Sequence, residues 1–105
     1  MNLFRAMVAG GLLVVAGCTY VKPTEQAVSV RVGTAEDVVN CKRLGQTAVQ
    51  TLARVAGMPR YESSIQDELN TLARNSGANM GGDTVVPAGP QKDGNQTFVI
   101  YRCRP

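Results

Sequence analysis

The stretch Thr-Phe-Val-Ile-Tyr-Arg-Cys at residues 97–103 is dense in β-branched and aromatic side chains and ends in a cysteine. These residue types favour the pleated surface of a sheet, so the stretch predicts a β-strand. A shorter strand is predicted upstream at residues 84–86, where Thr-Val-Val is ended by Pro87. Between the two strands, Gly89-Pro90 and Asp93-Gly94-Asn95 are typical turn residues and predict a hairpin loop.

An amphipathic helix is predicted before these strands. Residues at helical spacing share one face of it, namely Ile65, Leu69, Leu72, Ala73 and Ser76. Ser63 followed by Gln66 fits a capping box at its start, and Ser64 or Tyr61 are alternative starts. Gly77 predicts a left-handed stop at its end.

Two further strands are predicted on the amino-terminal side of the helix. Valines alternate with polar residues at 28–32, the period of two that is typical of a half-buried strand. An extended pattern returns at 41–49. Residues 52–60 contain Gly57 and Pro59, which predict a loop or a short helical turn.

The resulting order is β-β-α-β-β, which predicts the α+β class. We expect a two-layer arrangement in which one amphipathic helix covers one face of an antiparallel-rich sheet. The other face of the sheet is then open to solvent.

Length and composition limit the number of domains and the kinds of partner that the chain can have. It has 105 residues, 44% hydrophobic and 18% charged, without histidine or tryptophan, and this length allows one small domain. The net charge is only +3. Close basic pairs occur at Lys42-Arg43 and at Arg102 with Arg104, whereas nucleic-acid binding favours a concentrated basic stripe with interleaved aromatics. The sequence therefore predicts no nucleic-acid partner.

The first residues have the pattern of a processing signal. Arg5 precedes an uninterrupted apolar and glycine run at 6–15, which is too short to span a bilayer as a helix. The run leads into Val15-Ala16-Gly17-Cys18, which resembles the bacterial lipobox. That resemblance implies a signal peptide at 1–17 and a diacylglyceryl thioether on the sulfur of Cys18, with acylation of its freed amine. Plain secretion is the competing interpretation.

The predicted organisation of the chain follows from this signal. Residues 1–17 are a lipoprotein signal peptide, 18–26 are the lipidated cysteine and a polar tether, and 27–105 are a small α+β periplasmic domain. Thr19 stands where lipoproteins retained in the inner membrane commonly have aspartate. The resemblance therefore implies a lipid anchor in the periplasmic leaflet of the outer membrane, with the inner membrane as the alternative.

Two cysteines remain once Cys18 is assigned to the lipid. Cys41 and Cys103 form an even pair in an oxidising compartment, where a structural disulfide is the default. Metal ligation and redox catalysis are competing interpretations. Both are poorly supported, because the chain has no histidine and no Cys-x-x-Cys motif.

Catalytic chemistry is not indicated. Histidine, the commonest acid-base group at neutral pH, is absent, and Ser63-Ser64 has no evident base. Gly81-Gly82 lacks the Gly-Lys-Ser/Thr continuation of a phosphate-binding loop. Met58 and Met80 are better explained as packing residues than as copper ligands. The sequence predicts no enzyme, no metal site and no cofactor.

Several short motifs occur in a characteristic order between residue 41 and the carboxyl terminus. They are Cys41-Lys42-Arg43-Leu44-Gly45, Leu72-Ala73-Arg74-Asn75, Gly77-Ala78-Asn79, Met80-Gly81-Gly82-Asp83 and Tyr101-Arg102-Cys103-Arg104-Pro105. In these motifs the chain resembles small bacterial lipoproteins of the YjeI type and, more distantly, the outer-membrane stress lipoprotein RcsF. The resemblance implies a lipid-anchored α+β periplasmic domain, cross-linked between Cys41 and Cys103, without known catalytic activity. A second disulfide and a long proline-rich stalk, expected in RcsF, are missing here.

Two functions from different classes are compatible with these features. In the first, the domain is a non-catalytic interaction module that presents a sheet edge or the open sheet face to another envelope protein. In the second, loops around Gly57, Met58 and Gly81 bind a small ligand or a metal ion.

Overall fold

The computed structural model describes residues 23–105. In chain order its helix and strands are β1 (Arg31–Val32), β2 (Lys42–Gln50), β3 (Arg54–Val55), β4 (Met58–Pro59), α1 (Glu62–Asn79), β5 (Thr84–Pro87) and β6 (Asn95–Arg102). Short 3₁₀ helices at Gln26–Ser29 and Glu36–Val38 lie on either side of β1.

The strands form a four-stranded sheet in the order β1-β5-β6-β2, and β3 pairs with β4 as a separate hairpin. β1 is parallel to β5, while β5 and β2 are both antiparallel to β6. The α+β class and the antiparallel-rich sheet are therefore confirmed. Residues 97–102 of the predicted stretch belong to β6, an inner strand that pairs with β5 on one side and β2 on the other.

The hydrophobic core lies between α1 and one face of the sheet. Its buried residues are Val30, Ile65, Leu69, Ala73, Val85, Phe98 and Ile100. Ile65, Leu69 and Ala73 are three of the five residues predicted for the helix face. Covering one face of the sheet with one amphipathic helix, as the sequence predicts, removes these side chains from water.

The strand predicted at 28–32 is wrong in most of its length. Residues Gln26–Ser29 form a 3₁₀ helix, and only Arg31–Val32 pair in the sheet. Val28 is 67% exposed, so the alternating valines do not share a buried face. The cause lies in α1: the guanidinium of Arg74 donates to the carbonyls of Ala27, Val28 and Val30 and takes the place of a strand partner.

The loop predicted at 52–60 contains a small hairpin. In register, Arg54 lies opposite Pro59 and Val55 lies opposite Met58. Pro59 is compatible with β4 because that strand pairs on one side only, so its missing N–H breaks no ladder.

The helix starts one residue before the predicted capping box. Its amino-terminal cap is Tyr61, with extended backbone and no side-chain hydrogen bond, and Ser63 lies inside the first turn. This start is one of the alternatives that the sequence leaves open.

The predicted helix stop at Gly77 is wrong. Gly77 is a buried residue of the helix, which continues to Asn79. The left-handed position is Gly81, with φ of 82°. The N–H of Gly82 donates to the carbonyl of Gly77 at 2.8 Å, and that of Gly81 donates to Ala78 at 3.0 Å. This is the Schellman pattern, displaced by one helical turn from the predicted stop.

The predicted disulfide is present. Cys41 and Cys103 are bonded across 62 residues of sequence, with their Cα atoms 4.4 Å apart. Cys41 directly precedes β2 and Cys103 directly follows β6, and the adjacent residues Lys42 and Arg102 are partners in the ladder. The bond therefore closes the end of the β2–β6 pair.

Residues 24–30, the N-terminal strap, pack against α1. The N–H of Thr24 donates to Oδ1 of Asn75 at 3.0 Å, and Arg74 holds the strap carbonyls described above. Ala27 of the strap is fully buried. Residues 24–26, which the sequence analysis assigns to the tether, thus contact the body of the domain.

Candidate functional site

Strand β2 forms one edge of the four-stranded sheet. It has nine residues and pairs on one side only, with β6. A register shift between Arg43 and Gly45 marks a bulge near its start. From Gly45 to Gln50 the ladder is regular, so alternate N–H and C=O groups of this segment point away from the sheet.

The regular part of the edge lacks the usual protection against strand pairing. Charged side chains and prolines commonly shield an edge strand. The charges of β2, Lys42 and Arg43, both precede the bulge, and its continuation at 44–50 has neither charge nor proline. Gln46, Ala48 and Gln50 are exposed. The edge of β2 can therefore accept another strand.

The sheet face opposite α1 extends this surface. Cross-strand register places Val99 of β6 between Val86 and Gln46, and pairs Thr97 with Ala48. Val86, Val99 and Thr97 are half-buried, although α1 lies on the other side of the sheet. Together with the β2 edge, these residues form the open sheet face.

Basic residues meet at the disulfide end of this surface. Lys42 lies opposite Arg102, and Arg43 lies opposite Tyr101 in the ladder. Like charges directly opposite each other repel, so the Lys42–Arg102 pair favours an anionic group beside it. Arg102 lies on the side of the sheet that α1 covers and donates to the carbonyl of Gly81 at 3.1 Å, whereas Arg43 and Tyr101 lie on the open side.

A cleft of about 310 Å³ lies beside the disulfide, lined by Ser29, Arg31, Asp37, Asp83, Thr84, Cys103 and Arg104. The side chain of Asp83 is only 12% exposed. Its carboxylate accepts backbone N–H groups of Cys103 at 2.9 Å and Arg104 at 2.8 Å, and the hydroxyl of Thr84 at 3.0 Å. Burial alone would raise the pKa of Asp83, but these donors outweigh it and lower the pKa below its ordinary value.

The other charged residues of the cleft are also paired. Arg31 and Asp37 form an ion pair at 2.9 Å. The pKa of Asp37 is lowered first by the backbone N–H of Thr34, then by the Thr34 hydroxyl and by Arg31. These interactions fix the segment after β1 and the chain beyond β6. The polar groups of the cleft therefore hold these two segments to the sheet.

The β3–β4 hairpin is held to α1 by a second polar cluster. Arg60 forms an ion pair with Glu68, and the Thr51 hydroxyl donates to the same carboxylate at 2.6 Å. Arg60 also donates to the carbonyl of Leu52 at 2.8 Å. The pKa of Glu68 is lowered, first by Arg60 and then by Thr51.

A family model described as "Domain of unknown function (DUF4156)" matches residues 21–103. The chain belongs to this family. The match covers α1, the whole sheet and both bonded cysteines of the DUF4156 domain. No curated protein and no solved structure matches the chain significantly.

The cysteines predicted as site residues have different outcomes. Cys41 and Cys103 of the DUF4156 domain are brought together in the disulfide. Cys18, predicted to carry the lipid, lies outside the described residues and outside the family match. Within residues 23–105, no helix has the length and apolar character needed to cross a bilayer.

The loops proposed from the sequence as a ligand site are not brought together. Gly57 and Met58 belong to the hairpin before α1, whereas Gly81 follows α1. An 18-residue helix is about 27 Å long, so these loops lie at opposite ends of it. In the described part of the DUF4156 domain, no three side chains of His, Cys, Asp or Glu form a group that could hold a metal ion.

Sequence analysis missed the residues that organise these surfaces. Asp83 follows the glycine turn after α1, a position typical of local backbone capping, but its partners are 20 and 21 residues away. Arg60 and Glu68 are 8 residues apart across a helix start, which no helical spacing would pair. The identity of β2 as an edge strand depends on the order of the whole sheet.

Proposed function

We propose that this protein is a lipid-anchored envelope protein that works as a non-catalytic interaction module. Its β2 edge and open sheet face bind an extended segment of another envelope protein as an additional strand. The observation that carries the proposal is the regular, uncharged and unpaired edge of β2 from Gly45 to Gln50.

The lipid anchor is supported by the sequence before the domain. The lipobox-like Val15-Ala16-Gly17-Cys18 would place acyl chains at Cys18, and the family match begins three residues later at residue 21. By the same motif resemblance we place the chain with lipoproteins of the YjeI type, more distantly RcsF, in the periplasmic leaflet of the outer membrane. Cross-linking of Cys41 to Cys103 suits an oxidising compartment.

The chemistry of the surface defines the partner segment. An added strand gains main-chain hydrogen bonds from β2, and its apolar side chains on the open-face side lie beside Ala48, with Val99 of β6 one strand further in. An acidic residue at one end of the strand would neutralise the Lys42–Arg102 pair. We therefore expect a β-branched segment with one acidic end.

A non-catalytic role is supported by the way the polar groups are used. The carboxylates of Asp37, Asp83 and Glu68 each accept hydrogen bonds that fix the backbone or a neighbouring element. Their pKa values are lowered, which keeps them anionic at neutral pH and unsuited to general acid catalysis.

Site-specific photo-crosslinking tests the edge. A photoreactive residue in place of Ala48 should capture one defined envelope protein in intact cells, and the same residue in place of Thr71, on α1, should not capture it. Replacing Gln46 and Gln50 with lysine should abolish capture, because charges on the edge oppose strand addition. Equal capture from both positions, or capture that survives the lysines, contradicts the proposal.

Mass spectrometry tests the anchor separately. The mature protein should begin at Cys18 with a diacylglyceryl group and an acylated amine. A mature chain with unmodified Cys18 refutes the anchor, whatever the crosslinking shows.

A further inference from the structure

We propose that the β3–β4 hairpin, residues 52–61, contacts the surface of the bilayer and fixes the orientation of the domain on it. The proposal rests on the lipid anchor of the proposed function, and its occupant is the lipid surface rather than a protein. It assigns the hairpin a role independent of strand addition at β2.

The hairpin exposes more large apolar side chains than a solvated turn requires. Its exposed apolar residues are Leu52, Val55, Met58 and Tyr61, at 67%, 56%, 70% and 84%. Val55 and Met58 are a cross-strand pair, so their side chains lie on the same face of the hairpin. Alternation along the two strands places Leu52 and Tyr61 with Arg54 on the other face, so the hairpin exposes apolar side chains on both faces, as is typical of a segment that is covered in the working protein.

The charges of the hairpin favour contact with a membrane over full exposure to water. Arg54 and Arg60 are the charged residues between 52 and 61, where no residue is acidic; because Arg60 is paired with Glu68, Arg54 supplies the charge available to a headgroup. Arginine beside apolar side chains suits an interface with anionic lipid headgroups, and tyrosine suits the boundary between headgroups and acyl chains.

The base of the hairpin is fixed to the body of the domain, where Ala53 packs against the core. The N–H of Arg60 donates to the carbonyl of Ala53 at 2.9 Å, which closes its base. The guanidinium of Arg60 and the Thr51 hydroxyl fix that base to Glu68 on α1. The apolar tip is thus presented by a braced support, and its exposure does not come from an unattached loop.

The path of the chain between Cys18 and α1 would bring the hairpin near the bilayer. Thr24 is bound at Asn75, seven residues after Glu68 on α1. Seven residues are two helical turns, so both attachments lie on the same flank of α1, about 10 Å apart along its axis. Six residues separate Thr24 from Cys18, a reach of about 20 Å at most. A lipid on Cys18 would hold this flank, and the hairpin with it, close to the membrane.

Tryptophan fluorescence tests the contact, because the chain contains no tryptophan. The full chain with Met58→Trp is purified and reconstituted into phosphatidylcholine vesicles, with and without phosphatidylglycerol, and with brominated acyl chains as quencher. The matched control is Val39→Trp, which is 76% exposed and precedes β2 at the end opposite the hairpin. A second hairpin variant, Tyr61→Trp, covers the case in which Met58→Trp fails to fold.

We expect the emission of Met58→Trp to move to shorter wavelength on vesicles and to lose most of its intensity to brominated lipid. The loss should be larger with phosphatidylglycerol and should shrink when Arg54→Gln is added. Val39→Trp should change in neither respect. Equal quenching of the two tryptophans, or none in the hairpin, overturns the proposal.

Further outcomes separate the alternatives. A concentration-dependent blue shift of Met58→Trp without vesicles shows that a second copy covers the hairpin, and this also overturns the proposal. Hairpin quenching in a chain whose Cys18 proves unmodified supports the lipid contact while refuting the anchor. If the photoreactive residue at position 48 captures no protein while the hairpin tryptophan is still quenched, strand addition at β2 is refuted and the lipid contact stands.

Discussion

Removing the disulfide should be the most destabilising change that leaves the fold recognisable. The perturbation is the double substitution Cys41→Ser/Cys103→Ser, which leaves neither of the two thiols unpaired. Cys103 is exposed and Cys41 is half-buried, so serine at these positions costs little packing. In the folded state β2 and β6 are already paired up to Lys42 and Arg102, so the bond adds little to their contact.

The magnitude therefore comes mainly from the unfolded chain. The bond joins residues 62 apart, and closing a loop of that length lowers the free energy of folding by about 4 kcal/mol in the chain-entropy treatment. For a domain of this size about 1 kcal/mol corresponds to roughly 4–8 °C. We expect the melting temperature to fall by about 15–30 °C.

Circular dichroism melts and urea titrations measure this effect. The denaturant dependence of the unfolding free energy should be larger in the variant, because its unfolded state is no longer cross-linked and exposes more surface. Wild-type protein under reducing agent should behave like the variant. A fall in melting temperature below about 5 °C, with unchanged denaturant dependence, refutes the reasoning.

The remaining predictions concern single contacts. Asp83→Asn should lower the unfolding free energy at neutral pH by about 2 kcal/mol, because a buried carboxylate with backbone donors is lost. The pKa of Asp83 is depressed in the folded state, so this contribution is complete above the ordinary value of 3.8 and is lost as the pH falls through the lower folded pKa. Urea titrations of variant and wild type should therefore converge only as the pH falls well below 3.8. Gly94→Ala should destabilise by about 2 kcal/mol or more, since residue 94 has φ of 79° and a Cβ would lie 2.1 Å from the carbonyl oxygen of Thr51. Gly89→Ala, where nothing lies within 4 Å of the added carbon, is its control, and equal melting temperatures for the two variants contradict the prediction. Glu68→Gln should release the hairpin from α1 and speed tryptic cleavage after Arg54, whereas Glu62→Gln, in the exposed first turn of α1, should not. Equal cleavage rates in the two variants contradict the role of the Arg60–Glu68 ion pair in holding the hairpin.

The elements predicted from the sequence are those whose signal is local and dense. β6 combines β-branched and aromatic residues over its length, and α1 repeats apolar side chains at helical spacing. Both also bury those side chains against each other, so local preference and packing agree. The disulfide was predictable once the sequence analysis assigned Cys18 to the lipid, because the two cysteines that remain allow only one pairing.

The errors have causes far away in sequence. The valine alternation at 28–32 predicts a strand, but Arg74, more than 40 residues later, binds the carbonyls that a strand partner would bind. Gly57 and Pro59 suggested a loop at 52–60. The ion pair that holds the β3–β4 hairpin joins Arg60 to Glu68 on α1, outside that segment, so local sequence did not indicate it. The candidate binding edge could be predicted only as a possibility, because which strand lies outermost depends on the order of all four strands.

The N-terminal strap has a mechanical consequence. A pull on the chain at Thr24 from its amino-terminal side acts first on the hydrogen bonds to Asn75 and Arg74, and only then on the β1–β5 ladder. Releasing residues 24–30 would lengthen the connection by about 20 Å without breaking a backbone bond in the sheet. Under tension the strap would therefore give way first, exposing the buried Ala27 and Val30, while the pairing of β1 with β5 stays intact.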